Sequence, residues 1–505
     1  MNNVASQEMI FASWILILVY MAVILFFVIK GALKIKDMKD YAVGNVNFSP
    51  IAVGLALAAS MTSAATFIIN PGFIALYGFS AVISYGFALP LAAMVSLVLF
   101  TKGFRKHGTG VKALTMAQWM GTRYNSKNYG FFFAVLSLLL VTFIVLIVVG
   151  LTKVLAKSLN VDELYVLIGL VTFIFGYMMF GGANSMVYTN TIQAVIMIVV
   201  AFILLGSGYE HFSSGIHQLI EKMNSIDPKL TGFFNDSSFL FRDFFEIIIA
   251  QMIIGIAIVC QPHIITKSLL LKSDKDVNRY LTVGVITQSL FFLVVISGLW
   301  ARFAFPDLTL NGTRLKMDGI ISAYVVKEFP VYVGLIVILG LISAGISTLE
   351  GLIQSLSTTI TTDIIVPISK LKFNDIELKH PKLIVIINRA VIVLLAVVTI
   401  YLSYEQLINP KLSVAILGQN GVYAYFSAAF IPILSGMFSK NINKFVPIVS
   451  SVVAVVVHFT MYFGKLQIPF SVATGENPGV AAATAIVVST LLAFILSRIV
   501  KGSKQ

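Results

Sequence analysis

"LISAGISTLEGLIQSLSTTITTDII", Leu341 to Ile365, is apolar enough to enter a bilayer. Yet it carries hydroxyls at Ser343, Ser347, Thr348, Ser355, Ser357, Thr358 and Thr359 and one carboxylate, Glu350. At about 100° per residue, Ala344, Ser347, Thr348, Gly351 and Ser355 fall in one narrow stripe of a helix. Hydroxyl oxygens beside a small-residue carbonyl offer neutral ligands, which suit an alkali cation that must bind and then leave. A cage of carboxylates would favour divalent ions. The plainer alternative is that each Ser and Thr bonds its own i−4 carbonyl, as is common in membrane helices.

The rest of the chain has a membrane protein's composition. Of its 505 residues, 58% are hydrophobic and 11% charged, and most of such a chain must face lipid or other helices. Apolar runs of about 20 residues recur, long enough to cross a hydrocarbon core of roughly 30 Å. A β-barrel would show short alternating segments instead. The net charge of +13 fits Lys and Arg collected in cytoplasmic loops better than a nucleic-acid surface. One cysteine, Cys260, excludes an internal disulfide and a C-x-x-C metal site. Six scattered histidines, without an H-E-x-x-H, argue against an intramembrane enzyme.

Apolar runs between polar, Gly and Pro interruptions predict an all-α polytopic protein of about thirteen spans. They fall at 9–30, 48–70, 79–101, 129–156, 163–181, 187–207, 243–266, 281–304, 328–365, 382–404, 411–438, 444–463 and 479–499, the ninth with room for extramembrane turns. The first has no basic residue before it and is too long for a signal-peptide core, so it reads as an uncleaved span with the N-terminus outside. In that frame the inner loops and tail hold 24 of the 35 basic residues, and shifting by one span reverses the bias. The C-terminus is then inside, in the plasma membrane of a cell of bacterial type. Residues 1–505 read as one membrane domain, with no appended soluble module.

A second span is also too polar. "GLALAASMTSAATFI", Gly54 to Ile68, is small and hydroxylated in its middle and runs on to Asn70-Pro71-Gly72, where a helix break is expected. Broken backbone at membrane depth is tolerated where it lines protein or a watery cavity, and its carbonyls are good ligands for a hard cation. A small-residue packing seam is the alternative.

Here the residues resemble the sodium:solute symporter family. "AGISTLEGLIQSLSTTITTDII" is similar to its eighth core helix and "GLALAASMTSAATFI" to its first. "CQPHIITKSLLLKSDKDVNR" (Cys260 to Arg279), "FGGANSMVYTNTIQAVIM" (Phe180 to Met197) and "IPILSGMFSKNINK" (Ile431 to Lys444) resemble further motifs in the family's order. The resemblance implies a leucine-transporter-type fold: an inverted five-plus-five repeat with broken first and sixth core helices, working by alternating access. It divides the chain into an extra N-terminal helix and basic loop (1–40), core repeats (41–440) and C-terminal helices (441–505). It implies Na⁺ as coupling ion, held by the carbonyls of Ala59, Thr62 and Ala344 and the hydroxyls of Ser347 and Thr348. It places a solute pocket at Thr66, Tyr85, Cys260, Gln261, Gln288 and Gln419.

Two departures stand out. The family's intramembrane T-D becomes Thr189-Asn190, and the small hydroxylated positions after the Ser-Thr pair are Glu350 and Gly351. A carboxylate in a spanning helix costs about 2.5–3.5 kcal/mol on insertion, so it is expected to face a cavity or partner. Three readings of Glu350 compete: a second ion site shared with Asn190, a proton site, or a structural group paired with a basic residue or amide. The favoured function is sodium-coupled symport of a small organic solute, an amino acid or a monocarboxylate. No Arg or Lys stands out at the midplane, so the half-helix near Asn70-Pro71-Gly72 is expected to meet a solute carboxylate. A proton-coupled symporter and a sensor on a transporter-like domain are the alternatives. Beyond solute and lipid, no partner is implied.

Overall fold

The computed structural model describes residues 7–111, 113–271, 273, 275–370, 381–409, 414–439 and 443–500. Of the basic residues assigned to inner loops, Lys112, Lys272, Lys372, Lys379, Lys440, Lys501 and Lys504 lie outside the described residues. Among the described residues, ten helices are long and apolar enough to cross a membrane, and two bent helix pairs pass the same test together. One of the ten, Glu163–Gly206, has 44 residues. At 1.5 Å per residue it would be about 66 Å long, twice a bilayer core. Gly182 divides it, with φ 56° and ψ −165° inside otherwise helical backbone. Counting its halves separately, thirteen spans result, in the predicted order.

We number them α1 (Gln7–Ala32), α2 (Pro50–Met61 and Ala65–Tyr77), α3 (Phe79–Lys106), α4 (Lys127–Leu159), α5 and α6 (163–181 and 183–206) and α7 (Phe245–Ile258 and Pro262–Ser268). Then follow α8 (Lys275–Ala304), α9 (Val331–Ser369), α10 (Lys382–Ile408), α11 (Val414–Phe438), α12 (Phe445–Gly464) and α13 (Pro478–Ile499). The ten core helices are α2–α11, so the first, sixth and eighth are α2, α7 and α9. The first and sixth are the two bent pairs, with nearly equal angles of 56° and 55°, as an inverted repeat demands. Local chemistry starts the first half of α2: Pro50 occupies the first turn and the Ser49 hydroxyl accepts from the Ala52 amide (3.2 Å).

The expected break at Asn70-Pro71-Gly72 is not observed. The chain bends earlier, at Thr62–Ala64, and Pro71 lies in the first turn of a helix, Asn70–Tyr77. A π-helical turn at Ala65–Ile69 precedes it; its looser hydrogen bonding takes up the donor that proline lacks. Gly72 serves contact instead, since a Cβ there would come within 2.5 Å of the Met317 carbonyl. Further π turns lie at Val82–Ala88, Phe245–Ala250 and Ile360–Ile365. The ninth span contains no extramembrane turn: α9 is one helix of 39 residues.

The long α9 packs against α2, α4 and the α5–α6 pair. Residues 341–354 are buried throughout. The outer helices present apolar side chains outward, among them Phe11, Leu18 and Phe26 of α1 and Leu394 and Val397 of α10, as lipid contact requires.

Gly182 generates a prediction. Its backbone conformation is nearly restricted to glycine, and a Cβ would lie 2.9 Å from the Tyr41 ring and carbonyl. Gly182→Ala is expected to destabilise by about 1–3 kcal/mol, read as a lower melting temperature in detergent. Gly176→Ala, on the same long helix with nothing within 4 Å, should be neutral or slightly stabilising.

Candidate functional site

The break in α2 leaves backbone carbonyls without helical partners, and α9 supplies hydroxyls to them. The Ser347 hydroxyl donates to the carbonyls of Ala59 (2.8 Å) and Ala344 (3.1 Å). Thr348 Oγ1 lies within donating distance of the carbonyls of Ser60 (3.1 Å), Thr62 (3.3 Å) and Ala344 (3.4 Å). The five oxygens expected to hold a cation therefore converge where α2 crosses α9, buried from solvent. All five are neutral. Bonding to a helix's own carbonyl and bonding across to α2 coexist here. For a cation to use the cluster, the two hydroxyl hydrogens would have to rotate away so that oxygen lone pairs face it.

A second polar cluster adjoins the first. Glu350, on α9 and 0% exposed, accepts at Oε1 from the Tyr177 hydroxyl of α5 (2.5 Å) and at Oε2 from Thr189 of α6 (2.5 Å). The neighbours of Asn190 set its amide orientation, because a carboxylate only accepts and an ammonium only donates. Its nitrogen donates to Glu350 Oε2 (2.8 Å) and Gln193 Oε1 (2.9 Å), and its oxygen accepts from Lys267 Nζ (3.2 Å) and Ser60 Oγ (2.7 Å). Lys267 Nζ also donates to the Ala56 carbonyl (3.0 Å) and to Ser60 Oγ (2.5 Å).

Sequence reading missed Lys267, which it assigned to an inner loop. The lysine lies in the second half of α7 and is 3% exposed. A signal was available. Lys267 follows Pro262, the first-turn proline of that half-helix, by five residues, or about 7.5 Å of helix. That is too little to clear the bilayer from a break at its middle. Tyr177, Thr189 and Gln193 were also missed, since their spacing marks only a helix face.

Four of the six solute candidates, Thr66, Cys260, Gln261 and Gln288, lie at or beside the two breaks, while Tyr85 and Gln419 form a separate pair. Gln288, buried on α8, donates through its amide to the Thr62 hydroxyl (2.7 Å) and so joins the cation-type cluster. Tyr85, in the π turn of α3, lies beside the Gln419 amide of α11 and edge-on to Phe241 (5.3 Å). Thr66 follows the α2 break; Cys260 and Gln261 form the α7 break, where Gln261 Nε2 donates to the Ile258 carbonyl (3.1 Å). Among the described residues, Gln261 Oε1 and Gln288 Oε1 are buried acceptors with no hydrogen-bond partner. A solute bearing O–H or N–H donors would satisfy them.

The sequence profile of the sodium:solute symporter family matches residues 41–453. The chain belongs to that family. Among curated symporters, it is 27% identical over 327 residues to the sodium/pantothenate symporter of Haemophilus influenzae, covering 63% of this chain and 65% of that protein. It therefore spans just under two thirds of that relative's length. The sodium/pantothenate symporter of Escherichia coli is 26% identical over 367 residues, covering 71% of this chain and 73% of that one. A substrate-bound, outward-open Na⁺-coupled sialic acid symporter shares the fold, with a TM-score of 0.76 at 18% identity over 98% of both chains. The named relatives are transporters, not enzymes.

The hydroxyl that Tyr177 aims at a buried carboxylate should matter to stability. Tyr177→Phe is expected to cost about 1.5–3 kcal/mol, the worth of a hydrogen bond to a charged group. Thermal unfolding with and without the substitution measures it; an unchanged midpoint would mean that Glu350 does not depend on this donor.

Proposed function

We propose that this protein is a sodium-coupled symporter that carries a small monocarboxylate rich in hydroxyl or amide groups, pantothenate first among them, by alternating access. The observation that carries the reading is the meeting of the Ala59, Thr62 and Ala344 carbonyls with the Ser347 and Thr348 hydroxyls at the α2–α9 crossing. Five uncharged oxygens bind an alkali cation without trapping it, which a transported ion requires. Family membership supports the same ion.

For the solute, the support is chemical. Gln261 and Gln288 present unpartnered acceptor oxygens at and beside the helix breaks, suited to hydroxyl or amide donors. Two relatives carry pantothenate by name, and pantothenate offers two hydroxyls, an amide and one carboxylate. Gln288 also holds Thr62, so solute contact at its oxygen bears directly on a ligand of the ion. In this reading residues 41–440 form the transporting core, flanked by 1–40 and 441–505. The N-terminus is outside and the C-terminus inside a bacterial-type cytoplasmic membrane.

Uptake into proteoliposomes tests the reading. A sodium gradient should drive accumulation of labelled pantothenate or another small monocarboxylate, and a proton gradient alone should not. Ser347→Ala should raise the half-saturating sodium concentration at least tenfold, about 1.4 kcal/mol, while solute affinity at saturating sodium changes less. A sodium curve identical to that of the unaltered protein would refute the assignment of the ion.

A further inference from the structure

A buried carboxylate must find positive charge nearby or lose its own, and two supplies are open to a transporter: an ion that comes and goes, or one bonded to the chain. Around Glu350 the second is in place. Tyr177, Thr189 and Asn190 give its two oxygens three donors, and the positive group acting on it is Lys267. Their link passes through one amide, Asn190, which donates to the carboxylate and accepts from the ammonium.

The ammonium itself makes the contacts of a bound cation. It is held by the Ala56 carbonyl, the Ser60 hydroxyl and the Asn190 side-chain oxygen, three neutral oxygens like those of the neighbouring cluster. Ser60 touches both clusters, since its hydroxyl also lies 3.2 Å from the Ser347 carbonyl. The two sequence departures, an amide at Asn190 and an acid at Glu350, thus meet at one point. An amide stands on α6 where the family motif has an acid, the acid stands on α9, and its counter-charge comes from α7. Gly351, beside Glu350, packs against the His263 side chain of α7 at ordinary contact distance: a Cβ there would lie 3.4 Å from His263 Cβ.

Resting on the sodium-symport reading, we propose that Lys267 is a resident cation. Its ammonium, gripped by Ala56 and Ser60 and balanced through Asn190 by Glu350, fills the place a second transported ion would take, so the protein carries one sodium ion per cycle. Because this charge is covalently attached, it cannot be released on either side of the membrane. It balances Glu350 without adding to the driving force. Removing it should open a sodium site in which Glu350 supplies the negative charge and the vacated oxygens of Ala56, Ser60 and Asn190 the rest.

Equilibrium binding of radiolabelled sodium to purified full-length protein, with choline chloride holding ionic strength, counts the ions without any solute. One ion per chain is expected for the unaltered protein, and one bound at least tenfold more weakly for Ser347→Ala. Lys267→Ala should bind two, and the charge-balanced Lys267→Met/Glu350→Gln pair should return to one. Lys267→Ala should also need sodium for thermal stability more than the unaltered protein does. Two ions in the unaltered protein, or one in Lys267→Ala, would overturn the resident-cation proposal and leave sodium symport standing. No sodium bound by the unaltered protein would overturn both. Should Lys267→Ala fail to fold even in sodium, the ion counts of the unaltered protein and of Lys267→Met decide: one for the unaltered protein and two for Lys267→Met support the proposal, and any other pair of counts overturns it.

Discussion

In hydrocarbon, a carbonyl that loses its helical partner has no water to turn to. The bend of α2 at Thr62–Ala64 creates such carbonyls in the buried crossing with α9, where Ser347 and Thr348 satisfy them. That crossing constrains much of the molecule. It requires α9 to lie directly against α2, which in turn brings α5 and α6, both packed along α9, to the same spot. The second bend, in α7, repeats the angle of the first within one degree and brings Lys267 and Gln261 to the middle of the bundle. In the proposed function, a site for a transported ion and a tolerable break in a membrane helix are the same arrangement of oxygens.

The charged groups beside that crossing follow a related logic. Burying two opposite charges costs more than their attraction returns unless hydrogen bonds satisfy the remaining valences. The Lys267–Asn190–Glu350 chain meets that condition: each of its polar ends reaches a hydroxyl, an amide or a carbonyl. An amide in the centre is well suited because it donates on one side and accepts on the other. An aspartate at position 190 would face Glu350 with a second negative charge.

Much of this was legible in the sequence. The thirteen spans follow from apolar length alone, and the stripe of Ala344, Ser347 and Thr348 follows from helical periodicity; both match the structure. The partner stripe on α2 was legible as composition, since small hydroxylated residues mark a helix in close contact. The position of the bend was not. Pro71 is the obvious breaker, but the π turn at Ala65–Ile69 accommodates it without a bend, and the bend at Thr62–Ala64 contains no proline or glycine. The depth of Lys267 was legible but overlooked: charge was read as a marker of loops, although five residues after Pro262 are too few to leave the bilayer. The family resemblance singled out Gln261 and Gln288, but not which of their atoms lack partners, a property of three-dimensional packing.

The four π turns have a further consequence. Each spends one residue more than an α-helical turn needs, so whatever follows is rotated by roughly 100° about the helix axis. Tyr85 lies inside one of them, and Thr66 inside another just past the bend. A homologous chain one residue shorter at such a turn could close it as ordinary α-helix and keep its span across the bilayer, while presenting a different row of side chains to the interior. At these places a single-residue deletion acts as a rotation rather than a gap. The bundle can thereby change what it exposes to its cargo without altering its length or its bonds to lipid.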